Sequence, residues 1–132
     1  MLVIEHVDLY NSKGAAPAED LDYCIPLGKA RMVREGGKLT ILTYLAMVEK
    51  TRKVVEELGV DAEIIDLRSL DRAGLDWEMI EASVRKTNNV LIVEQGAVGT
   101  SYGGFLADEL QRRVFDFPVS YTHLTLPTKR IV

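Results

Sequence analysis

The chain has 132 residues, 47% of them apolar and 27% charged. That mix fits one globular α/β or α+β domain with its own core, and it excludes disorder, collagen or coiled coil as a description of the whole. No apolar run approaches the roughly 18 residues of a membrane span, Met1–Glu5 is too short for a signal peptide, and a net charge of −4 without a basic cluster speaks against a nucleic-acid partner.

Leu2–Val7 reads as the end of a strand, and residues 11–22 lose all periodicity, as a linker does. The stretch 1–22 is therefore set apart from the regular pattern that begins at Tyr23. Cys24 stands alone and reads as a small buried side chain in a reducing setting, cytoplasmic, or matrix-like if organellar. Lys29–Glu35 alternates and ends in a turn at Glu35-Gly36-Gly37, which suggests a hairpin into the apolar strand Leu39–Tyr44. Met47, Val48, Thr51, Val54, Val55 and Leu58 then recur at helical spacing, with Gly59 where a helix should stop. Lys50, Arg52 and Lys53 lie among Glu49, Glu56 and Glu57, a solvated face of mixed charge.

Ala62–Leu67 is the next strand, and Asp66-Leu67-Arg68 at its end favours an ion pair or an interface hydrogen bond over catalysis. Asp76 is placed to cap a second helix that carries Trp77, Ile80 and Val84 inward and ends on Arg85-Lys86. Val90–Val93 is an apolar run of the kind covered on both faces. A glycine loop, Glu94–Gly104, leads into a third helix with Leu106, Leu110, Val114 and Phe117 inward. Strands alternating with helices predict a parallel sheet in a three-layer α/β/α sandwich.

The strand-to-helix glycine loop is where α/β domains hold phosphates. Its spacing, G-x-x-G-x-x-x-G-G, matches neither the dinucleotide fingerprint nor the Walker loop; it contains no Lys or Arg, and Glu94 adds negative charge at its mouth. Tight turning and close backbone approach explain the glycines better. Ser101-Tyr102 has no evident base partner, and His6 and His123 lie at opposite ends of the chain with no metal-ligand spacing.

The strings YCIPLGKARMVREGGKLTILTY and AEIIDLRSLDRAGLDWEMIEASVRKTNNVLIVEQG are specific. With "PLGKA", "IDLR", "IEASVRKT" and "VEQG" at their places, the chain resembles the C-terminal (transketolase-C) domain of the beta subunit of thiamin-diphosphate-dependent 2-oxo acid dehydrogenases of the pyruvate type. The resemblance implies a five-stranded, mostly parallel sheet whose first strand is an antiparallel edge beside the third, so it overrides the hairpin. It implies residues 1–22 as the end of an upstream pyrimidine-binding domain plus linker ("IEHVDLY") and residues 23–118 as the domain itself. It also implies thiamin diphosphate and Mg in the intact enzyme only. The family's activating glutamate lies upstream of Leu2, and its Gly-Asp-Gly metal motif does not occur in this chain. No catalytic, cofactor or metal residue carries over.

The implied role is assembly, with an alpha subunit, a second beta subunit and the small peripheral-subunit-binding domain of the acyltransferase core as partners. Arg68, Glu94, Gly96, Gly99, Gly103 and Gly104 are the interface candidates. The alternatives are the matching domain of transketolase or deoxyxylulose-phosphate synthase, or a stand-alone nucleotide-binding module. Residues 119–132 depart from the family pattern. VSYTHLTLPT at 119–128 resembles the translation of a transposase-type sequencing adapter, which makes this stretch a read-through tail. Without it, 14 basic residues face 20 acidic ones, a net of −6. Its alternation of β-branched, aromatic and polar residues could nonetheless pair as an edge strand in the fifth position.

Overall fold

The computed structural model describes residues 1–14, 24–97, 100–114, 116 and 119–126. Apolar segments pair into β1 (Arg31–Arg34), β2 (Leu39–Thr43), β3 (Ala62–Asp66), β4 (Asn89–Gln95) and β5 (Ser120–Leu126). Between them run α1 (Ala46–Leu58), α2 (Trp77–Thr87) and α3 (Tyr102–Arg113). The sheet order is β1-β3-β2-β4-β5, with β1 antiparallel to β3 and the remaining pairs parallel. This is the mostly parallel five-stranded sandwich that the resemblance implied.

The hairpin reading of Glu35-Gly36-Gly37 fails for a visible reason. The turn lies across the start of β3: Gly37 N–H donates to the Asp61 carboxylate at 2.9 Å, and Lys38 N–H to Asp61 O at 3.1 Å. The Arg34 guanidinium donates to Ala62 O. A Cβ on Gly36 would stand 2.2 Å from the Ala62 carbonyl carbon, so only glycine fits there. These contacts carry the chain over β3 and set β1 on its far side.

Two apolar layers flank the sheet. Leu42, Ile65 and Ile92 face α2 and α3, where Ile80, Val84, Leu106, Leu110 and Val114 meet them. On the other face Ile41, Ile64 and Val93 pack against Met47 and Val55 of α1. At about 1.5–3 kcal/mol for each fully buried aliphatic side chain, these layers supply the main drive for folding. A hydroxyl cluster is built into the first layer, with Thr40 Oγ1 2.7 Å from both Ser83 Oγ and Thr87 Oγ1. The helix ends match the sequence: Gly59 adopts a left-handed conformation after α1, and the Asp76 side chain caps α2 by accepting from Met79 N–H. Arg52 pairs with Glu49 and Glu56 on the mixed-charge face.

Three details differ from the sequence reading. Residues 2–6 join no strand among the described residues; a single 3-10 turn, Val7–Leu9, comes next, with His6 accepting from Asp8 N–H. Cys24 is exposed, because it precedes β1 in an irregular stretch and not in a packed element. Val54 and Leu58 keep the helical stripe yet face outward, since among the described residues α1 is the one α-helix packed on its side of the sheet. Phe117 and Gly99 lie outside the described residues. The segment after Val119 forms β5, in unbroken register with β4 from Asn89↔Ser120 to Gln95↔Leu126.

Candidate functional site

The connection from β2 passes through α1 to β3 on one side, and the next passes through α2 back to β4 on the other. The sheet therefore has its topological switch point at the C-terminal ends of β2 and β4, where open α/β sheets place ligands. Tyr44 directly follows β2, and Glu94 and Gln95 end β4. A cavity of about 230 Å3 opens here, lined by His6, Tyr44, Leu45, Ala46, Met47 and Gln95. His6 Nε2 and Gln95 Oε1 are 2.9 Å apart, so the N-terminal segment is tied to the sheet across this crevice.

The centre of the arrangement is Glu94, which is fully buried. Its two carboxylate oxygens accept from Gly103 N–H at 3.0 and 2.9 Å, and one also accepts from Tyr44 Oη–H at 2.8 Å. Gly103 is in the first turn of α3, whose Ser101 cap makes no side-chain bond. A helix start carries free N–H donors and a partial positive charge, and here the chain's own carboxylate meets both. The Tyr44 phenol is held far above its ordinary value of 10.0, first by burial and then by its bond to Glu94, so it stays protonated and remains the donor.

Glu94 therefore does not lie at an open mouth, as the sequence suggested. It fills, from inside, the position an incoming phosphate would take. Among the described residues no Lys or Arg lines the crevice, and no group of His, Cys, Asp and Glu suited to a metal occurs. A thiamin diphosphate with its metal does not fit this donor set.

The other interface candidates fall into two groups. Gly103 is buried beneath Glu94, whereas Gly104 is exposed and has open space where a side chain would stand. Gly96 is half-buried, with a hypothetical Cβ 3.1 Å from Ser101 Cβ. Arg68 is exposed in a left-handed conformation at φ 55°, with its Nε 3.6 Å from the Asp66 carboxylate and its N–H donating to Asp66 Oδ1. Burial raises the Asp66 pKa and the Arg68 bonds oppose that rise, so the ion-pair reading of the motif holds. The structure brings Glu94, Gly103 and Tyr44 together, and Arg68 belongs to the neighbouring strand end.

Sequence reasoning missed Tyr44 and His6. Each meets its partner across 50 and 89 residues of chain. Their one sequence signal is position, since both follow or approach the C-terminal ends of strands that the parallel order makes neighbours.

The profile of the family "Transketolase, C-terminal domain" matches residues 28–131. Among curated proteins the chain is 50% identical over 98 residues to the pyruvate dehydrogenase E1 component subunit beta of Chlorokybus atmophyticus, covering 72% of this chain and 28% of that one. It is 44% identical to the subunit of the same name from Mesostigma viride, covering 86% of this chain and 34% of that one. It is 40% identical to the 2-oxoisovalerate dehydrogenase subunit beta of Pseudomonas aeruginosa, covering 89% and 31%. The chain thus spans about a third of the length of these relatives. Among solved structures a split gene transketolase, described as an inactive beta4 tetramer, shares the fold with a TM-score of 0.66 at 24% identity, over 87% of this chain and 38% of that one. With the profile running across nearly the whole described sheet, the chain belongs to the transketolase C-terminal domain family.

Proposed function

We propose that this domain is the assembly and docking part of the beta subunit of a thiamin-diphosphate-dependent 2-oxo acid dehydrogenase of the pyruvate type, working in the cytoplasm. In this reading thiamin diphosphate and Mg belong to the intact enzyme, and the domain holds neither. It meets an alpha subunit, a second beta subunit and the small binding domain of the acyltransferase core. Residues 1–22 are the end of the upstream domain and its linker, 23–118 the working domain, and 119–132 a read-through tail. Ladder bonds depend little on side-chain identity, so a tail of foreign origin can still occupy the fifth-strand position.

The observation that supports a non-catalytic role is the seating of Glu94 at the start of α3. A free helix N-terminus offers a diphosphate about 1 kcal/mol, against the roughly 8 kcal/mol of a micromolar site, and here even that donor is engaged. Calorimetry of the chain with thiamin diphosphate and Mg²⁺ should show no binding. A micromolar dissociation constant, abolished by a bulky residue at Gly103, would overturn the reading.

Arg68, Gly96, Gly99 and Gly104 are proposed as surface contacts, with Glu94 and Gly103 setting the loop beneath them. Gly104→Leu separates folding from assembly. The site has open space for the side chain, and replacing a helical glycine stabilises a helix by up to about 1 kcal/mol. The variant should therefore melt no lower than the parent while losing binding to the acyltransferase's small domain. That binding should weaken as salt rises, given the net of −6 before the tail. Unchanged binding by Gly104→Leu would remove the loop face from the interface.

A further inference from the structure

The N-terminal segment is held to the domain mainly by polar contacts. His6 lines the crevice at the ends of β2 and β4, and its side chain is only 23% exposed. Its Nδ1 accepts from Asp8 N–H at 3.2 Å, so the ring proton belongs on Nε2, which donates to Gln95 Oε1 at 2.9 Å. Both ring nitrogens are thereby used, one to cap the turn Val7–Leu9 and one to hold β4. An exposed ion pair adds to this, with the Asp8 carboxylate 3.5 Å from Lys50 Nζ on α1. Apolar packing contributes little: Leu9 is half-buried, whereas Leu2, Val3, Ile4, Val7 and Tyr10 stand exposed. A contact made chiefly of one hydrogen bond and one surface ion pair is releasable.

The grip falls beside the buried carboxylate. Gln95 directly follows Glu94, and strand alternation sends the two side chains to opposite faces of the sheet. Gln95 shares the α1 face with Leu91 and Val93, while Glu94 shares the α3 face with Ile92. His6 therefore holds the end of β4 from one side, and Gly103 N–H holds it from the other. The crevice wall is itself constrained. Leu45, which precedes α1, has φ 53° and ψ −135°, a conformation that persists in a leucine only where its surroundings fix it. We propose that residues 6–8 are a latch that couples the N-terminal segment to the glycine loop through the end of β4. With the latch closed, Gln95 is anchored and Glu94 is aimed at the start of α3. With it open, the last residues of β4 gain freedom and the start of α3 loosens with them. The role rests on residues 1–22 being the end of an upstream domain and the loop face being a docking surface: movement of that domain then reaches the surface where a partner docks.

Amide hydrogen exchange of the whole chain is the test. Leu9 and Tyr10 N–H, bonded to His6 O and Val7 O, report the turn, and Gly103 N–H reports the loop. Leu67 N–H, bonded to Thr43 O at the end of β3, is the control. Gln95→Ala leaves the turn's own bonds in place, so its effect on Leu9 and Tyr10 reads the contact alone. Those amides should exchange about fivefold faster, the worth of one hydrogen bond. His6→Ala leaves the loop's own bonds in place, so its effect on Gly103 reads the coupling alone. That amide should exchange about twofold faster or more, with Leu67 unchanged in both variants. Because coupling is reciprocal, Glu94→Gln should speed Leu9 and Tyr10 in turn. Turn amides that ignore Gln95→Ala would mean that there is no latch, and a Gly103 amide that ignores His6→Ala would mean a latch without coupling; either result overturns the proposal. None of these readings needs a docking partner, so their failure is distinct from the failure of Gly104→Leu to lose binding.

Discussion

Two glutamates are sunk into this sheet, and they are satisfied in different ways. Glu63, near the N-terminal end of β3, is paired with Lys86 Nζ at 2.6 Å, on a lysine whose side chain is 54% exposed. Glu94, at the far end of β4, receives a backbone N–H from the start of α3 and a phenol from the end of β2. The first is a charge met by a flexible, wetted cation from the adjacent helix face. The second is a charge met by rigid dipoles that the fold itself sets in place. Only the second ties three separate elements together, so a buried carboxylate with neutral donors acts as a joint, whereas one with a surface lysine acts as a tether.

Glu94→Ala gives the largest expected effect, because it leaves a buried N–H and a buried hydroxyl without an acceptor. Each such orphan costs about 1–3 kcal/mol, so chemical denaturation should show a loss of roughly 3 kcal/mol or more. Glu94→Gln keeps the shape and one acceptor, and it should lose about half as much. If Glu94→Ala were within 0.5 kcal/mol of the parent, a change typical of the surface, the joint would be disproved.

Lys86→Met comes next. It strips Glu63 of its cation, but water can reach the vacated end, so the loss should fall below that of Glu94→Ala. Salt sharpens the contrast. At 1 M, screening acts over about 3 Å, so the gap between Lys86→Met and the parent should narrow while the Glu94→Gln gap stays constant. Equal narrowing of both would mean that the two sites do not differ in kind.

The sequence carried the strands, the three helices and their caps, because periodicity and capping are local. Gly59 and Asp76 each act within one turn of their own position. It did not carry the side on which β1 lies. That depends on Gly36 and Gly37 meeting Asp61 and Ala62, some 25 residues away, and a glycine pair looks the same whether it closes a hairpin or packs on a neighbour. The family resemblance supplied the order that local chemistry could not. The glycine loop was legible as a site by position and misread in its electrostatics, since an acidic residue before a loop looks exposed until the helix start that binds it is in place. Cys24 failed for the opposite reason: average burial of a residue type was applied to a stretch outside any packed element.

The smallest expected effect concerns Tyr44, and pH reveals it. Burial first, and the bond to Glu94 second, raise its pKa in the folded state, while the unfolded chain keeps the ordinary value of 10.0. A group whose folded pKa is raised gives stability that is fully present below the unfolded value and drains away as pH climbs toward the folded one. Lys86 has the same sign, raised by its bond to Glu63, with its loss beginning near 10.5. Both glutamate sites should therefore weaken together under alkali, by different routes. Tyr44→Phe removes the first route. At pH 7 it should cost about 1 kcal/mol for the lost hydrogen bond, and above pH 10 its stability should fall less steeply than the parent's. The double variant with Lys86→Met should be flatter still. If Tyr44→Phe and the parent lose stability in parallel from pH 9 to 11, the phenol does not share its proton with Glu94 as the geometry requires, and Tyr44 is not part of the joint.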